Sequence, residues 1–283
     1  MIKLNSLTKN IKDGFKAPTG DSNRETPTKG ALRFNTETGK PEIYAKGRGW
    51  RRASVSEIPS YVTDGLVLDL DAGNLNSYDG SGTTWSDLSQ DGTDLVINGT
   101  TYNSDGYFVL NGTSDRMYRS YTASLNPSDI TVLCWAYLDN WNQTFTGGLG
   151  SLINTQRGGN GYAMGCQSFS GNLAWQIWTN SGWVTSNYAL SNISSGWHCL
   201  IGTSDGSNIK LYLDSVEVDS LTAGSIVYTR NDSQFNIGAY QSGNGSINSY
   251  FPGNIAITQV YDKALSSDEV TQNFNATKTR FGL

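Results

Sequence analysis

The feature that most constrains this chain is a succession of short strand-like segments, from about residue 65 to the end, separated by turns rich in Gly, Asn and Ser. Most segments alternate apolar and polar residues, only 16% of all residues are charged, and Gly numbers 32. Short strands at regular spacing are typical of antiparallel sheets that pack face to face. We therefore predict an all-β fold, a two-sheet β-sandwich of the jelly-roll type.

Two stretches add detail to this prediction. Residues 130–138 (ITVLCWAYL) are apolar at nearly every position, which predicts a central strand covered on both faces. After the last strand, Ser266 and Glu269 stand at capping-box spacing, and Leu265 and Val270 are placed as a hydrophobic staple. A short helix is therefore expected to close the domain. Alternation places Trp175 in the core, and we assign Trp135 and Trp197 to the core as well.

Several blocks, taken in chain order, resemble the laminin-G-like domains of the concanavalin A-like lectin/glucanase superfamily. They are residues 65–73 with 108–117, 130–138, 196–218 and 251–283. One departure is Ser215, which stands where the family's LYLDG hairpin has Gly. The resemblance covers about residues 61–283. It implies a concanavalin A-like β-sandwich, and related domains suggest glycan or calcium binding as functions to test.

The first 60 residues have a different character. Residues 1–28 are polar and aperiodic, which predicts an extended arm. Residues 29–50 contain two strand-like segments, 31–35 and 42–45, around a turn with Gly39. This block resembles a hairpin of bacteriophage tail-fibre and virion proteins. We predict an attachment region over residues 1–60, made of arm, small β-hairpin and linker, and a sandwich over 61–283.

The charge is divided in the same way. Residues 1–60 contain 12 Lys and Arg against 6 acidic residues, a net charge of +6, whereas residues 61–283 contain 8 against 19, a net charge of −11. A basic arm on an acidic body favours docking to other virion proteins, with a solvated linker as the alternative. The candidate attachment and assembly residues are Arg33, Phe34, Tyr44, Arg48, Trp50 and Arg51. Fibre-like hairpins imply a homotrimer.

Other classes of partner find little support in the sequence. No stretch has transmembrane length, and no signal peptide is recognised. The basic residues come with no nucleic-acid motif, so no specific nucleic-acid binding is expected. Three cysteines, an odd number in apolar contexts, favour buried free thiols over disulfides.

Catalysis is not predicted. The chain has one His, His198, in an alternating strand, and nothing near it in the sequence supplies a nucleophile. Residues 61–283 hold only two Glu, Glu217 and Glu269, whereas glycosidases need two carboxylates across the scissile bond; a pair of Asp residues is the alternative. The related glucanases' Glu-x-Asp-x-Glu strand is absent. We interpret the protein as non-enzymatic.

Glycan binding is the more specific hypothesis, because sugar sites combine aromatic platforms with polar side chains on loops above rigid strands. The candidate residues are Trp141, Arg157, Asn160, Tyr162, Trp178, Trp183, Asn187 and Tyr240. The alternative is that these aromatic side chains belong to the core, as most do in β-sandwiches. Alternation places Trp178 opposite Trp175, on an outer face.

Calcium is a candidate cofactor, because hard cations prefer carboxylate and carbonyl oxygens. The candidate ligands are Asp69, Asp71, Asn111, Asp115 and Asp262. The alternative is that these side chains are simply solvated.

Together these patterns predict a bacteriophage virion structural protein at the virion surface, either capsid-decorating or part of a head or tail fibre. Its lectin-like sandwich would bind bacterial surface glycans. The alternatives are a decoration protein without a ligand, a bacterial lectin or adhesin, and a depolymerase.

Overall fold

The computed structural model describes residues 32–35, 40–45, 49–52, 60–155 and 158–283. The chain divides into two compact units, Met1–Ile58 and Pro59–Leu283. The first contains an antiparallel sheet of three strands, β1 Leu32–Asn35, β2 Lys40–Ala45 and β3 Gly49–Arg52. The predicted hairpin is thus joined by a third strand, β3, from the Gly-Trp block that follows it. Residues 1–31 and 53–59, which include the predicted arm over 1–28 and most of the predicted linker, lie outside the described residues.

The second unit is built from many short strands, as the turn spacing predicts. They are β4 Leu66–Asp71, β5 Thr84–Trp85, β6 Leu95–Asn98, β7 Thr101–Asn103, β8 Tyr107–Val109, β9 Arg116–Ser120, β10 Ile130–Leu138, β11 Leu149–Asn154, β12 Tyr162–Gln167, β13 Asn172–Thr179, β14 Gly182–Ala189, β15 Gly196–Ser204, β16 Asn208–Leu213, β17 Val216–Thr222, β18 Gln234–Ile237, β19 Tyr240–Gln241, β20 Ile247–Asn248 and β21 Asn254–Tyr261. One α-helix, α1 Ser267–Thr277, follows, and single 3₁₀ turns lie at Ala123–Leu125, Thr146–Gly148, Leu190–Asn192 and Lys278–Phe281.

These strands form two eight-stranded antiparallel sheets. The front sheet has the order β17-β16-β15-β10-β21-β8-β7, with β4 also pairing with β21. The back sheet has the order β14-β13-β12-β11-β18-β9-β6-β5. The short strands β19 and β20 pair with each other. This arrangement confirms the predicted all-β sandwich.

The main core lies between the sheets. Its largest members include Trp85, Phe108, Trp175 and Tyr162, all fully buried. The indole Nε1 of Trp175 donates to the carbonyl of Thr203, 3.0 Å away on the opposite sheet. Gly202 makes room for this ring, because a Cβ there would lie 2.3 Å from it. Trp175 is therefore a core residue, as alternation predicts.

A second, smaller core lies on the outer face of the front sheet, beneath α1. Trp135 is fully buried there, and its Nε1 donates to Thr277 at the end of the helix, 2.9 Å away. The predicted central strand is β10, which is covered on both faces. Trp197, which the sequence assigned to the core, is only half-buried, against Phe281.

The helix begins as predicted. Ser266 accepts a hydrogen bond from the backbone N–H of Glu269, whose carboxylate accepts one from the N–H of Ser266. Leu265 and Val270 are both buried in the second core, so the predicted staple is in place. All three cysteines are buried and free. In the part of the chain that the structure describes, no helix is long and apolar enough to span a membrane.

Candidate functional site

A partly exposed pair of tryptophans lies on the outer face of the back sheet. Trp178 on β13 is directly opposite Trp183 on β14. Their ring centroids are 4.9 Å apart and the rings are nearly perpendicular, at 70°. Trp183 is 41% exposed and Trp178 is partly exposed. The predicted outward orientation of Trp178 is confirmed, and the two indoles present apolar surface and N–H groups to solvent.

The surroundings hold this pair in place. The backbone of Gly159, whose φ is +78°, approaches the Trp178 ring so closely that a Cβ there would lie 3.1 Å from it. The backbone N–H of Trp178 donates to Gly161, and its carbonyl accepts from Val227. On the same face, two positions along the hairpin, Gln176 is paired with Thr185. The tryptophan pair therefore rests on a rigid strand framework with polar side chains beside it.

Two predicted glycan-binding aromatics are core residues instead. Trp141 is fully buried, with its Nε1 donating to the carbonyl of Gly196 and its ring against His198. Tyr162 is also fully buried and donates to the carbonyl of Leu125, 2.8 Å away. Burial raises the pKa of this tyrosine. The prediction was wrong for both residues: Trp141 lies in an irregular loop, which offers no alternation to tell an inward side chain from an outward one, and Tyr162 begins β12, a strand whose first five residues are all buried.

The remaining candidates are dispersed. Asn160 is fully buried, and its Oδ1 accepts from the backbone N–H of Thr229 at 2.6 Å, so its prediction as a surface contact was wrong. Asn187 is exposed, and its amide bonds back to the carbonyl of Thr185. Tyr240 is half-buried on β19, and burial raises its pKa. Arg157 lies outside the described residues.

The two predicted calcium ligands on β4 already have protein partners. Asp69 is 3% exposed, and its oxygens accept from the hydroxyl of Tyr61 at 2.7 Å and the amide of Gln259 at 2.9 Å. Burial raises the pKa of Asp69, although both of these hydrogen bonds oppose the shift. Asp71 accepts from the guanidinium of Arg280. These contacts account for both carboxylates without a metal.

Of the three loop candidates, Asn111 and Asp115 bond to each other, and only Asp262 shares a cleft with Asp69. The amide of Asn111 donates to Asp115 at 2.8 Å, which closes a local turn. Asp262 lies near Gly65 in a cleft of about 450 Å³ that Asp69 also lines. Within residues 60–155 and 158–283, no group of three or more His, Cys, Asp and Glu side chains is arranged to hold a metal ion. Calcium binding stays a sequence-based prediction.

The structure gives His198 two partners that the sequence did not suggest. Its Nδ1 lies 2.6 Å from Asp214, and its Nε2 lies 3.2 Å from the hydroxyl and 3.1 Å from the carbonyl of Ser194. The sequence-based statement that nothing nearby supplies a nucleophile was therefore wrong, because the hydroxyl of Ser194 lies within hydrogen-bonding distance of the ring. A carboxylate and a carbonyl can only accept, so a ring with hydrogen on both nitrogens satisfies these contacts. In that protonated state the imidazole cannot act as a base toward Ser194.

The pKa of His198 agrees with this assignment. Burial favours the neutral ring, but the hydrogen bond and charge of Asp214 and the carbonyl of Ser194 outweigh it and raise the pKa. The second oxygen of Asp214 accepts from the N–H of Cys199 at 2.8 Å. His198 therefore links the β16–β17 turn to β15 as a structural cation.

The predicted attachment residues belong to the first unit. Arg33 and Phe34 lie on β1, Tyr44 on β2, and Trp50 and Arg51 on β3. Arg48 lies outside the described residues. Their role in attachment or assembly stays a prediction.

Comparison with known proteins agrees with the architecture. A laminin G family profile, described as concanavalin A-like lectin/glucanases superfamily, matches residues 111–271, more than half of the chain. No curated protein sequence matches. Among solved structures, the binding domain of Paraclostridial Mosquitocidal Protein 1 is 21% identical with a TM-score of 0.57, covering 75% of this chain and 52% of that one.

Botulinum neurotoxin domains are similar to the same degree. The receptor binding domain of botulinum neurotoxin D has a TM-score of 0.56 at 14% identity, over 76% of this chain and 53% of that one. A botulinum neurotoxin type C structure, described with cell entry that depends on interaction with two ganglioside molecules, has a TM-score of 0.57 at 14% identity, over 76% and 52%. This chain thus spans about half the length of these structures, and the likeness establishes the fold.

Proposed function

The chain belongs to the concanavalin A-like lectin/glucanases superfamily, and from this premise we propose that residues 61–283 form a non-catalytic carbohydrate-binding module for bacterial surface glycans. The observation that carries the proposal is the exposed Trp178–Trp183 pair. Sugar rings present C–H faces that pack on indoles, while their hydroxyls bond to polar side chains. The pair offers the apolar contact, and Gln176 and Thr185, paired on the same face, offer the polar one.

The two glutamates of the sandwich favour binding over hydrolysis. Glu217 pairs with Lys210 at 2.9 Å, on an exposed strand. Glu269 is engaged with the cap residue Ser266 and with Lys263. A hydrolase needs two carboxyl groups that face one glycosidic bond, and both glutamates of the sandwich have other roles. The binding domains that share the fold add support by analogy.

The direct test is glycan binding by the full chain and its Trp183→Ala and Trp178→Ala variants. Phe169→Ala is the matched control, because Phe169 is an exposed aromatic, at 73%, in the β12–β13 turn. We expect wild type and the Phe169 variant to bind a polysaccharide extracted from bacterial surfaces, and the tryptophan variants to lose about tenfold in affinity, since an aromatic contact of about 1.4 kcal/mol corresponds to a factor of ten. Unchanged binding by both tryptophan variants would refute this site.

We further propose that the module is displayed on a bacteriophage particle, anchored by residues 1–60 and assembled as a homotrimer. The charge contrast between a +6 N-terminal segment and a −11 remainder supports this setting. Light scattering after gel filtration would compare the full chain with one that starts at Tyr61. A trimer that becomes a monomer on truncation is expected, whereas a monomeric full chain would contradict trimer formation in solution.

A further inference from the structure

An arginine on the outer face of the back sheet has no acidic partner. Arg116 begins β9, and its guanidinium carbon lies 4.0 Å from the ring centroid of Tyr118, two residues along the same face. The side chain is about half-buried, and burial lowers its pKa, although an arginine stays charged. No ion pair to Arg116 occurs among the described residues. A partly desolvated charge is thus left without a counter-charge.

Neutral groups hold this guanidinium in one orientation. Its Nη1 donates to Oε1 of Gln234 at 2.8 Å and to Oδ1 of Asn236. Asn236 is fully buried and is itself fixed by a bond from its amide to the carbonyl of Gln234. The ring of Tyr118 covers one flat side. The orientation is therefore set by β18 and β9 before any ligand arrives, which reduces the entropic cost of binding.

The opposite edge of the guanidinium remains available. All hydrogen bonds from Arg116 to described residues use Nη1, which leaves Nε and Nη2 without protein acceptors. A buried nitrogen without an acceptor would be an unsatisfied donor, and neither Nε nor Nη2 of Arg116 is one. Both atoms are therefore accessible to solvent. The adjacent acid, Asp115, points away and bonds to Asn111 and Ser114. The Nε–Nη2 edge is the fork that binds a carboxylate through two parallel hydrogen bonds.

We propose that Arg116 is the centre of a binding subsite for a carboxylate-bearing sugar, so that the module prefers acidic over neutral glycans. The inference rests on the proposed function and names its ligand class. Asn98, opposite Arg116 on β6, is exposed and offers an amide to sugar hydroxyls. Tyr118 offers a phenol beside the same edge. Charge selects the carboxylate, and these neutral donors and acceptors suit the rest of the ring.

The subsite shares a face with the tryptophan pair. Cross-strand partners lead from Tyr118 through Asn236, Asn154 and Ala163 to Gln176, two residues before Trp178. Partners in register point to the same side of a sheet. Five strand spacings separate β9 from β14, or about 24 Å at about 4.8 Å each. Asn236, Asn154 and Ala163 between them are buried, so the two sites are separate places on the same side of the back sheet, and each can be removed without disturbing the other.

The proposal can be tested by titrating the full chain with D-glucuronate or D-galacturonate and recording the NMR signals of the arginine Nε–H groups. D-glucose, D-galactose and NaCl at matched ionic strength are the comparisons. The Arg116 signal is identified as the one that disappears from the spectrum of the Arg116→Lys variant. The matched control is Arg119→Gln, because Arg119 lies on the same strand but donates to the carbonyl of Asp94. We expect a saturable shift of the Arg116 signal with at least one hexuronate and none with hexoses.

Binding of oligogalacturonate and of its neutral methyl ester then measures selectivity. We expect wild type and Arg119→Gln to prefer the acid about tenfold, and Arg116→Gln to lose that preference, since a bidentate charged hydrogen bond is worth about that much. The subsite would be overturned if the Arg116 signal did not shift with either hexuronate, or shifted only as much as with NaCl. It would also be overturned if the preference for the acid persisted in Arg116→Gln. If tryptophan-dependent binding of neutral glycans persists in those cases, the proposed function stands without it.

Discussion

The Nδ1 atom of His198 lies 2.6 Å from Oδ2 of Asp214, and the same carboxylate accepts from the backbone N–H of Cys199. The pKa of the histidine is raised above its ordinary value of 6.5. Since the folded state binds this proton more tightly, the ion pair stabilises the fold fully below pH of about 6.5. Its contribution is lost as the pH rises through the higher, folded pKa.

We therefore expect His198→Gln to cost about 1–2 kcal/mol near pH 5.5 and clearly less near pH 9. Urea unfolding of both proteins at the two pH values measures this difference. Because the chain has a single His, its one imidazole NMR signal reports the folded pKa directly. A midpoint at or below 6.5, or a cost that grows with pH, would contradict the ion pair.

The contacts of His198 resemble those of a hydrolytic triad, with the Ser194 hydroxyl on one ring nitrogen and the Asp214 carboxylate on the other. We nevertheless expect no acylation of the serine. The Nε2 of His198 faces the carbonyl of Ser194 at 3.1 Å as well as the hydroxyl, and below the folded pKa of the histidine the protonated ring cannot take the hydroxyl proton. At a pH of about 5.5, a fluorophosphonate probe should leave the wild-type chain unlabelled. Labelling that disappears in both Ser194→Ala and His198→Gln would show that the serine is activated, and the module would have to be reconsidered as an enzyme.

The turn between β16 and β17 departs from the family's sequence pattern at a strained position. Asp214 and Ser215 have φ values of 50° and 69°, a region that costs a non-glycine residue about 1–2 kcal/mol. We expect Ser215→Gly to stabilise the chain by about 0.5–1 kcal/mol after the entropic cost of glycine is subtracted.

The matched control for this change is Ser220→Gly, within β17, where the backbone φ is not positive. That substitution should destabilise by about 0.5–1 kcal/mol, because glycine weakens a strand interior. Thermal unfolding of both variants gives the comparison. A loss of stability in Ser215→Gly equal to that of the control would mean that the turn carries no strain.

Alternation and pairing rules predict those parts of the molecule in which a side chain's direction follows from its strand. They correctly oriented Trp175 and Trp178, and the doubly apolar β10 predicted a layer on each face. They failed for Trp141, which follows β10 in a loop without a period. They also passed over Arg116, because an outward polar residue on a strand is ordinary. Only the structure shows that no carboxylate among the described residues faces it.

Long-range partners were equally hidden. Asp214 lies 16 residues from His198, and only the hairpin of β15 and β16 brings the two together. The capping box was predictable because its partners, Ser266 and Glu269, are three residues apart. Sequence patterns thus predicted local contacts and faces, whereas the composition of a site depends on which strands become neighbours.

The last prediction concerns the second core, where Trp135 joins α1 to the front sheet. Its indole stacks on Phe281 with centroids 4.0 Å apart, and its Nε1 donates to Thr277. Trp135→Ala should cost about 3–5 kcal/mol through the cavity that it leaves. Trp135→Phe keeps an aromatic ring but loses the hydrogen bond and part of the packing, so about 1–3 kcal/mol is expected.

Phe169→Ala is the control for that series, since an exposed side chain should change stability by at most about 0.5 kcal/mol. Urea unfolding gives the free energies, and hydrogen exchange locates the loss. In Trp135→Ala, the amides of α1 should exchange faster than those of the back sheet, because the helix is attached through this core. Uniform acceleration across both sheets would mean that the helix is an inseparable part of the sandwich rather than a layer docked onto it.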